Sequence, residues 1–190
     1  MNRLFVALDL PRYAKDSMAV MQQGLPDVRW VDPEMLHLTL VFLGEVDRPT
    51  FIEAMHALAN VETRPFELEL AGIGFFPNRG APRQMWAGVR PEAELDRLQR
   101  RVLRALASVD VVPEKRRFVP HVTLGRFRYA PPEPRLQAFL QRHNLFRLPP
   151  FVVSDFHLFS SWLGAGAAHY EIEASYELVP GIEPDRVARR

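Results

Sequence analysis

Two near-copies of one tetrapeptide, His37-Leu38-Thr39-Leu40 and His121-Val122-Thr123-Leu124, stand 84 positions apart in this 190-residue chain. Each lies in an apolar run of strand-like pattern. Side chains on a strand alternate between faces, so residues i and i+2 share one. His37 and Thr39 therefore project to one side, as do His121 and Thr123. Leu38, Leu40 and Phe42 are expected on the other, with Val122 and Leu124 in the second copy. With six His and four Thr in the chain, chance would supply about 0.13 His-x-Thr triplets. Two copies in matched settings point to an internal duplication. Pseudo-two-fold symmetry would then bring both histidines to one central cleft.

The rest of the chain reads as short elements with stiff connections, 17 of its residues being Pro. Strands are expected over 3–9, 28–31, 36–43, 66–73, 84–89, 119–127, 151–160 and 169–178. Gly44 is read as closing the first motif strand. Helices are expected over 12–23, 49–60, 91–108 and, after a stiff loop over 131–134, through about Arg142, with Asp32 capping one helical turn between the first two. A Gly/Pro/Asn loop is expected over 75–82 and a Gly/Ala loop at 163–168. Helices and strands interleave irregularly, and several neighbouring strands look like hairpin partners. That pattern favours an α+β fold with antiparallel sheets over a doubly wound parallel sheet.

At 47% hydrophobic residues the chain can bury a full core. It has no Cys, which excludes disulfides and thiolate metal sites. The opening residues are too short an apolar run for a signal peptide, and no run approaches the roughly 20 residues of a membrane span. A soluble, cytoplasmic protein is expected, with no membrane contact and a polar tail over 181–190. The net charge is +1, but Lys115, Arg116, Arg117, Arg126 and Arg128 gather around the second tetrapeptide against Glu114 alone. A basic patch there suits an anionic substrate, phosphate above all.

Imidazole has an unperturbed pKa of about 6.5, so near neutral pH one ring can take a proton while its partner gives one. Phosphodiester cleavage needs both: a base for the attacking oxygen and an acid for the departing one. Thr39 and Thr123 can donate hydroxyl hydrogens to phosphate oxygens. Arg126 would offset the growing charge, provided that a bulge at Gly125 brings it round from the nominally opposite face. Phe5 shares a face with Ala7 and Asp9; it is a candidate for stacking on a base, with core packing as the alternative. No third ligand near the histidines suggests a metal. Trp30, Trp86 and Phe159 read as core, His56 as helix surface, and His143, His157 and His169 as structural or surface groups.

The paired motifs resemble those of the 2H phosphoesterase superfamily. The flanks narrow the resemblance: Arg3-Leu4-Phe5-Val6-Ala7-Leu8, Leu36 through Glu45, and Pro120 through Arg126 look like the RNA 2′,3′-cyclic phosphodiesterases, also called bacterial and archaeal 2′-5′ RNA ligases. The likeness runs from Arg3 to about Leu178. It implies one bilobal catalytic domain over 1–180, with two antiparallel sheets flanking a central cleft and helices outside. It implies metal-independent opening of a 2′,3′-cyclic phosphate to a 2′-phosphate, with no cofactor. His37 would be the proton donor, His121 the proton acceptor, and Thr39, Thr123 and Arg126 the phosphate ligands. RNA or oligonucleotide ends are the expected substrate, among them tRNA halves or free nucleotides, with a monomer as the expected state. Two alternatives stand beside this: 2′-5′ ligation as the main task, and a non-catalytic RNA- or nucleotide-binding module on the same fold.

Overall fold

Strand pairing is antiparallel throughout, and it organises the molecule around the two motif strands. The structure is a computed structural model that describes residues 2–77, 80–109, 111, 117–163 and 168–179. In chain order the elements are β1 (Asn2–Asp9), α1 (Arg12–Met21), β2 (Val28–Trp30), a 3₁₀ turn (Pro33–Met35), β3 (His37–Val46), α2 (Arg48–Leu58), β4 (Phe66–Leu68), β5 (Leu70–Phe76), β6 (Gln84–Val89), α3 (Ala93–Leu106), β7 (His121–Phe127), α4 (Glu133–Arg142), β8 (Phe151–Val153), β9 (Asp155–Leu163) and β10 (Ala168–Glu177). The expected Gly/Ala loop and polar tail, with Glu114, Lys115 and Arg116, fall largely or wholly outside the described residues.

One wing of the main sheet runs β10-β9-β1-β3. The other runs β7-β6-β5, with β2 also on β7. The α+β class and antiparallel pairing are as expected from sequence. The wings are not separate sheets, however: a single register pair, Leu38 with Val122, joins β3 to β7. Both residues are fully buried. A small second sheet pairs β4 with β8.

Helices α2 and α3 begin at side-chain caps, whereas α1 and α4 begin after Pro11 and Pro132 without one. Asp47 accepts from the Thr50 amide to start α2, and Glu92 from the Glu94 amide to start α3. α3 buries Leu95, Leu98, Val102 and Leu106, a spacing of three to four residues that makes one stripe. Among the described residues no helix is long and apolar enough to cross a membrane.

Several boundaries differ from the sequence expectation, and three of them bear on the sheets. The strand read over 66–73 breaks at Glu69, whose carboxylate meets Arg90 and Arg147. The run read as one strand over 151–160 likewise divides at Ser154 between the two sheets. β3 does not stop at Gly44: it passes through it at φ 79° and continues to Val46, with an extra residue at Leu43 opposite the Leu4–Phe5 step. Glycine has no Cβ to clash in that conformation, so the strand bends instead of ending.

Candidate functional site

The two motif strands carry the same burial pattern for six residues. His37 and Thr39 are half-buried, Leu38, Leu40 and Val41 buried, and Phe42 exposed; in β7 the same sequence runs from His121 to Arg126. Both strands bulge at the same place. Thr39 pairs with Ala7 and Val41 with Val6, leaving Leu40 extra; Thr123 pairs with Trp86 and Gly125 with Met85, leaving Leu124 extra. A bulge puts two successive residues on one face and so inverts the alternation after it. Arg126 thereby falls on the face of His121 and Thr123, with the extra residue at Leu124 and not at the expected Gly125. Phe42 is a correction: expected on the core face with Leu38 and Leu40, it emerges on the face of His37, 47% exposed.

Antiparallel pairing about Leu38 and Val122 sets His37 across from Thr123 and Thr39 across from His121. All four point to one face, in a crossed arrangement of two imidazoles and two hydroxyls.

Each imidazole is fixed by the backbone two residues before it. His37 Nδ1 lies 2.7 Å from the Met35 carbonyl, and His121 Nδ1 lies 2.8 Å from the Val119 carbonyl. A carbonyl only accepts, so both Nδ1 atoms carry the hydrogen and both neutral rings keep their lone pair on Nε2. Burial holds both imidazoles below the ordinary His pKa, although each carbonyl contact works the other way. For His37, Asp9 also raises the pKa, while Lys15 and His121 lower it.

The turn that presents Met35 is itself held. Lys15, 8% exposed, donates to the Glu34 carbonyl at 3.0 Å and pairs with Asp9 at 2.8 Å. Asp32 caps the same turn through the Glu34 amide, as its sequence position suggested.

Phe5 does not offer a platform for a base. It is 3% exposed and stacks on Phe159 at 5.0 Å, with His37 4.8 Å away. Tyr170 meets both the Phe5 and His37 rings edge-on at 5.2 Å. Phe5 therefore packs, as its alternative reading held, and with Phe159 it forms the wall behind His37. The exposed ring next to Phe5 is Phe42, at 5.9 Å.

On the other wing Phe76 meets His121 edge-on at 5.1 Å, and Trp86 lies 6.5 Å from it. Trp86, read from sequence as core, is half-buried at the site instead, packed over Gly74, where a Cβ would come within 2.3 Å of the indole. Sequence reasoning missed Gln84. Its amide nitrogen lies 3.1 Å from His121 Nε2 and 2.8 Å from Thr123 Oγ1. The only sequence signal was its place two residues before a strand Trp.

Of the basic cluster, Arg117, Arg126 and Arg128 are described and exposed. His157 lies in the first wing, bound to Ser175 Oγ at 2.9 Å and to Asp155 at 3.2 Å, in keeping with a structural reading. Among the described residues no group of three or more His, Asp or Glu side chains gathers in a metal-holding arrangement.

The comparisons with known proteins agree with this geometry. A model of the 2′-5′ RNA ligase superfamily matches residues 17–162. The chain is 34% identical over 164 residues to an RNA 2′,3′-cyclic phosphodiesterase of Archaeoglobus fulgidus, covering 85% of this chain and 92% of the relative. It is 38% identical over 150 residues to one of Aeropyrum pernix, covering 78% and 84%. Among solved structures it resembles E. coli LigT complexed with 3′-AMP, with a TM-score of 0.76 and 26% identity, covering 94% of this chain and 99% of that one.

Proposed function

This chain belongs to the 2′-5′ RNA ligase superfamily, and from that membership we propose that it hydrolyses RNA 2′,3′-cyclic phosphodiester ends to 2′-phosphomonoesters without a metal. The observation that carries the reading is the matched pair of Nδ1–carbonyl contacts, which leaves both Nε2 atoms as the working nitrogens on one face. His121 Nε2 takes a proton from water as the water oxygen bonds to phosphorus. His37, protonated at Nε2, gives its proton to the 3′ oxygen as the P–O3′ bond breaks. The 2′ ester bond is untouched, so the phosphate stays on the 2′ oxygen. Thr39 and Thr123 donate to the non-bridging oxygens, and the Arg126 guanidinium offsets the charge that grows there. Phe42, exposed on the face of His37 and set against Phe5, is the ring on which a base stacks. The LigT relative holds 3′-AMP, a nucleotide of the kind this reading places between the imidazoles.

The test is turnover of a 2′,3′-cyclic nucleotide by His37→Ala and His121→Ala, each checked for an unchanged unfolding midpoint. Each variant should lose at least about 10³-fold in kcat. Near-normal turnover by either one overturns the assignment, and loss of wild-type activity in a chelator, restored by added metal, overturns metal independence.

The family's name favours a second reading, 2′-5′ ligation, in which a 5′-hydroxyl takes the place of water: its oxygen bonds to phosphorus as His121 accepts its proton, and His37 protonates the departing 3′ oxygen as the P–O3′ bond breaks. Incubating one RNA with a cyclic-phosphate end and another with a 5′-hydroxyl end separates the two by product. The physiological RNA of this reading is an RNA end of that kind, tRNA halves among the candidates.

A further inference from the structure

Gln84 links a motif histidine to a motif threonine, and the link breaks the symmetry between the two halves of the site. It opens β6, across from Arg126 in β7. Its amide nitrogen sits within hydrogen-bond reach of both His121 Nε2 and Thr123 Oγ1. Among the described residues no side chain is bonded in this way to His37 Nε2 or Thr39 Oγ1.

The direction of each bond follows from the donors available. His121 Nδ1 carries its hydrogen toward Val119, so the neutral ring has one lone pair, on Nε2. The Gln84 amide donates one hydrogen into it and the other into a lone pair of the Thr123 hydroxyl. The hydroxyl hydrogen is then excluded from the Gln84 side and free to point into the open face. A protonated His121 would set N–H against N–H. A half-turn of the amide about its terminal torsion removes that conflict: Oε1 then accepts from His121 Nε2–H, and the Thr123 hydroxyl can swing to donate to the same oxygen. After that half-turn both amide hydrogens have left these two acceptors and Thr123 gives its hydroxyl hydrogen to Gln84, so the network favours the neutral ring, and only that state leaves Thr123 free to donate elsewhere.

We propose that Gln84 is a positioning residue that keeps His121 in its proton-accepting form and couples that ring's proton to the direction of the Thr123 hydroxyl. Thr123 then holds a phosphate oxygen before His121 takes a proton and releases it afterwards. The proposal rests on the reading of His121 as the base. Among the described residues, the charged and titratable groups around His121 are His37 on β3, Arg126 on its own strand, and Arg29 beyond it on β2; β5 and β6 face it with the uncharged Phe76, Trp86 and Gln84.

The experiment is an NMR titration of His37 and His121 in the wild type, Gln84→Met and Gln84→Glu, without substrate. Met keeps the length and burial but donates nothing, so His121 should titrate about 0.5–1 unit higher, with His37 moved by much less. Glu accepts from the imidazolium and should raise His121 further. The acidic limb of the kcat/KM profile should move with the His121 value, and inorganic phosphate should bind several-fold more weakly to Gln84→Met. A wild-type His121 titration in either folded variant overturns the proposal, as does an equal shift of both histidines. If Gln84→Met does not fold, Gln84→Glu decides by the same criterion. Because the titration needs no turnover, it can fail while the histidine-to-alanine assays still support hydrolysis, and the reverse.

Discussion

Phe42 and Arg126 occupy equivalent places in the two halves of the site. Each stands five residues after its motif histidine, and each is carried to the imidazole face by a bulge one residue after the motif threonine. One half thus presents an aromatic ring and the other a guanidinium, at positions that the duplicated backbone makes alike. The pairing suits a substrate with a flat apolar end and an anionic end.

Arg126 and Phe42 should therefore fail differently. Arg126→Ala is expected to lower kcat/KM about 10²-fold, mainly through kcat, because its charge acts where negative charge grows. Phe42→Ala is expected to raise KM for a cyclic nucleotide by roughly 5-fold or more, with kcat nearly unchanged, because stacking acts on bound and reacting states alike. Steady-state kinetics on both variants check this; a pure KM effect at Arg126 would contradict it.

Gly125 makes the second bulge possible beside β2. A Cβ there would lie 2.7 Å from Val28 Cγ1 and 2.8 Å from Trp30 Cε3. Gly125→Ala should cost about 1–3 kcal/mol in urea unfolding and displace Arg126, lowering activity as well. Wild-type stability and turnover in this variant would show that the close contact is not restrictive.

How far the sequence disclosed this arrangement depended on what each residue answers to. His37, Thr39, His121 and Thr123 were legible because two-residue periodicity is a local property. Phe42 was misread because the bulge at Leu40 is decided by how β3 pairs with β1, and nothing in Leu40 itself marks it. In β7 the glycine next to the extra residue, Gly125, gave the sequence a hint of a bulge, although the register sets the extra residue at Leu124. Glu69 broke a strand that its neighbours favoured, through arginines 21 and 78 residues away. Gln84 acquires its role only from the register of β6 against β7, which no composition or spacing encodes.

Lys15 supports His37 at one remove, by holding the turn whose Met35 carbonyl fixes the ring. Removing one partner of a buried ion pair strands the other charge, but the Asp9 carboxylate is 44% exposed and can turn to water. Lys15→Met should therefore cost about 1–3 kcal/mol in unfolding free energy, and lower kcat roughly tenfold in the folded protein as His37 loses its fixed orientation. Lys15 also lowers the His37 pKa and Asp9 raises it, so Lys15→Met should move the His37 titration up and Asp9→Asn should move it down. NMR titration of His37 reads both signs; shifts in the same direction would contradict the charge assignment.

Both histidines sit below the ordinary imidazole value, which fixes the sign of two pH effects. The productive free enzyme has His37 protonated and His121 neutral, so kcat/KM should follow a bell with its maximum on the acid side of about pH 6.5. A bound phosphate anion stabilises both imidazolium forms, and the kcat profile should lie at higher pH than the kcat/KM profile. For folding, the unfolded chain takes up protons at about pH 6.5 while the native histidines do not until lower pH. Native stability conferred by the neutral rings is thus fully present above the unfolded value and declines as pH falls through the folded ones. Urea midpoints at pH 7.5 and 5.5 should differ in that direction, and His37→Asn with His121→Asn should narrow the gap; an unchanged gap in the double variant would assign the acid sensitivity to other groups.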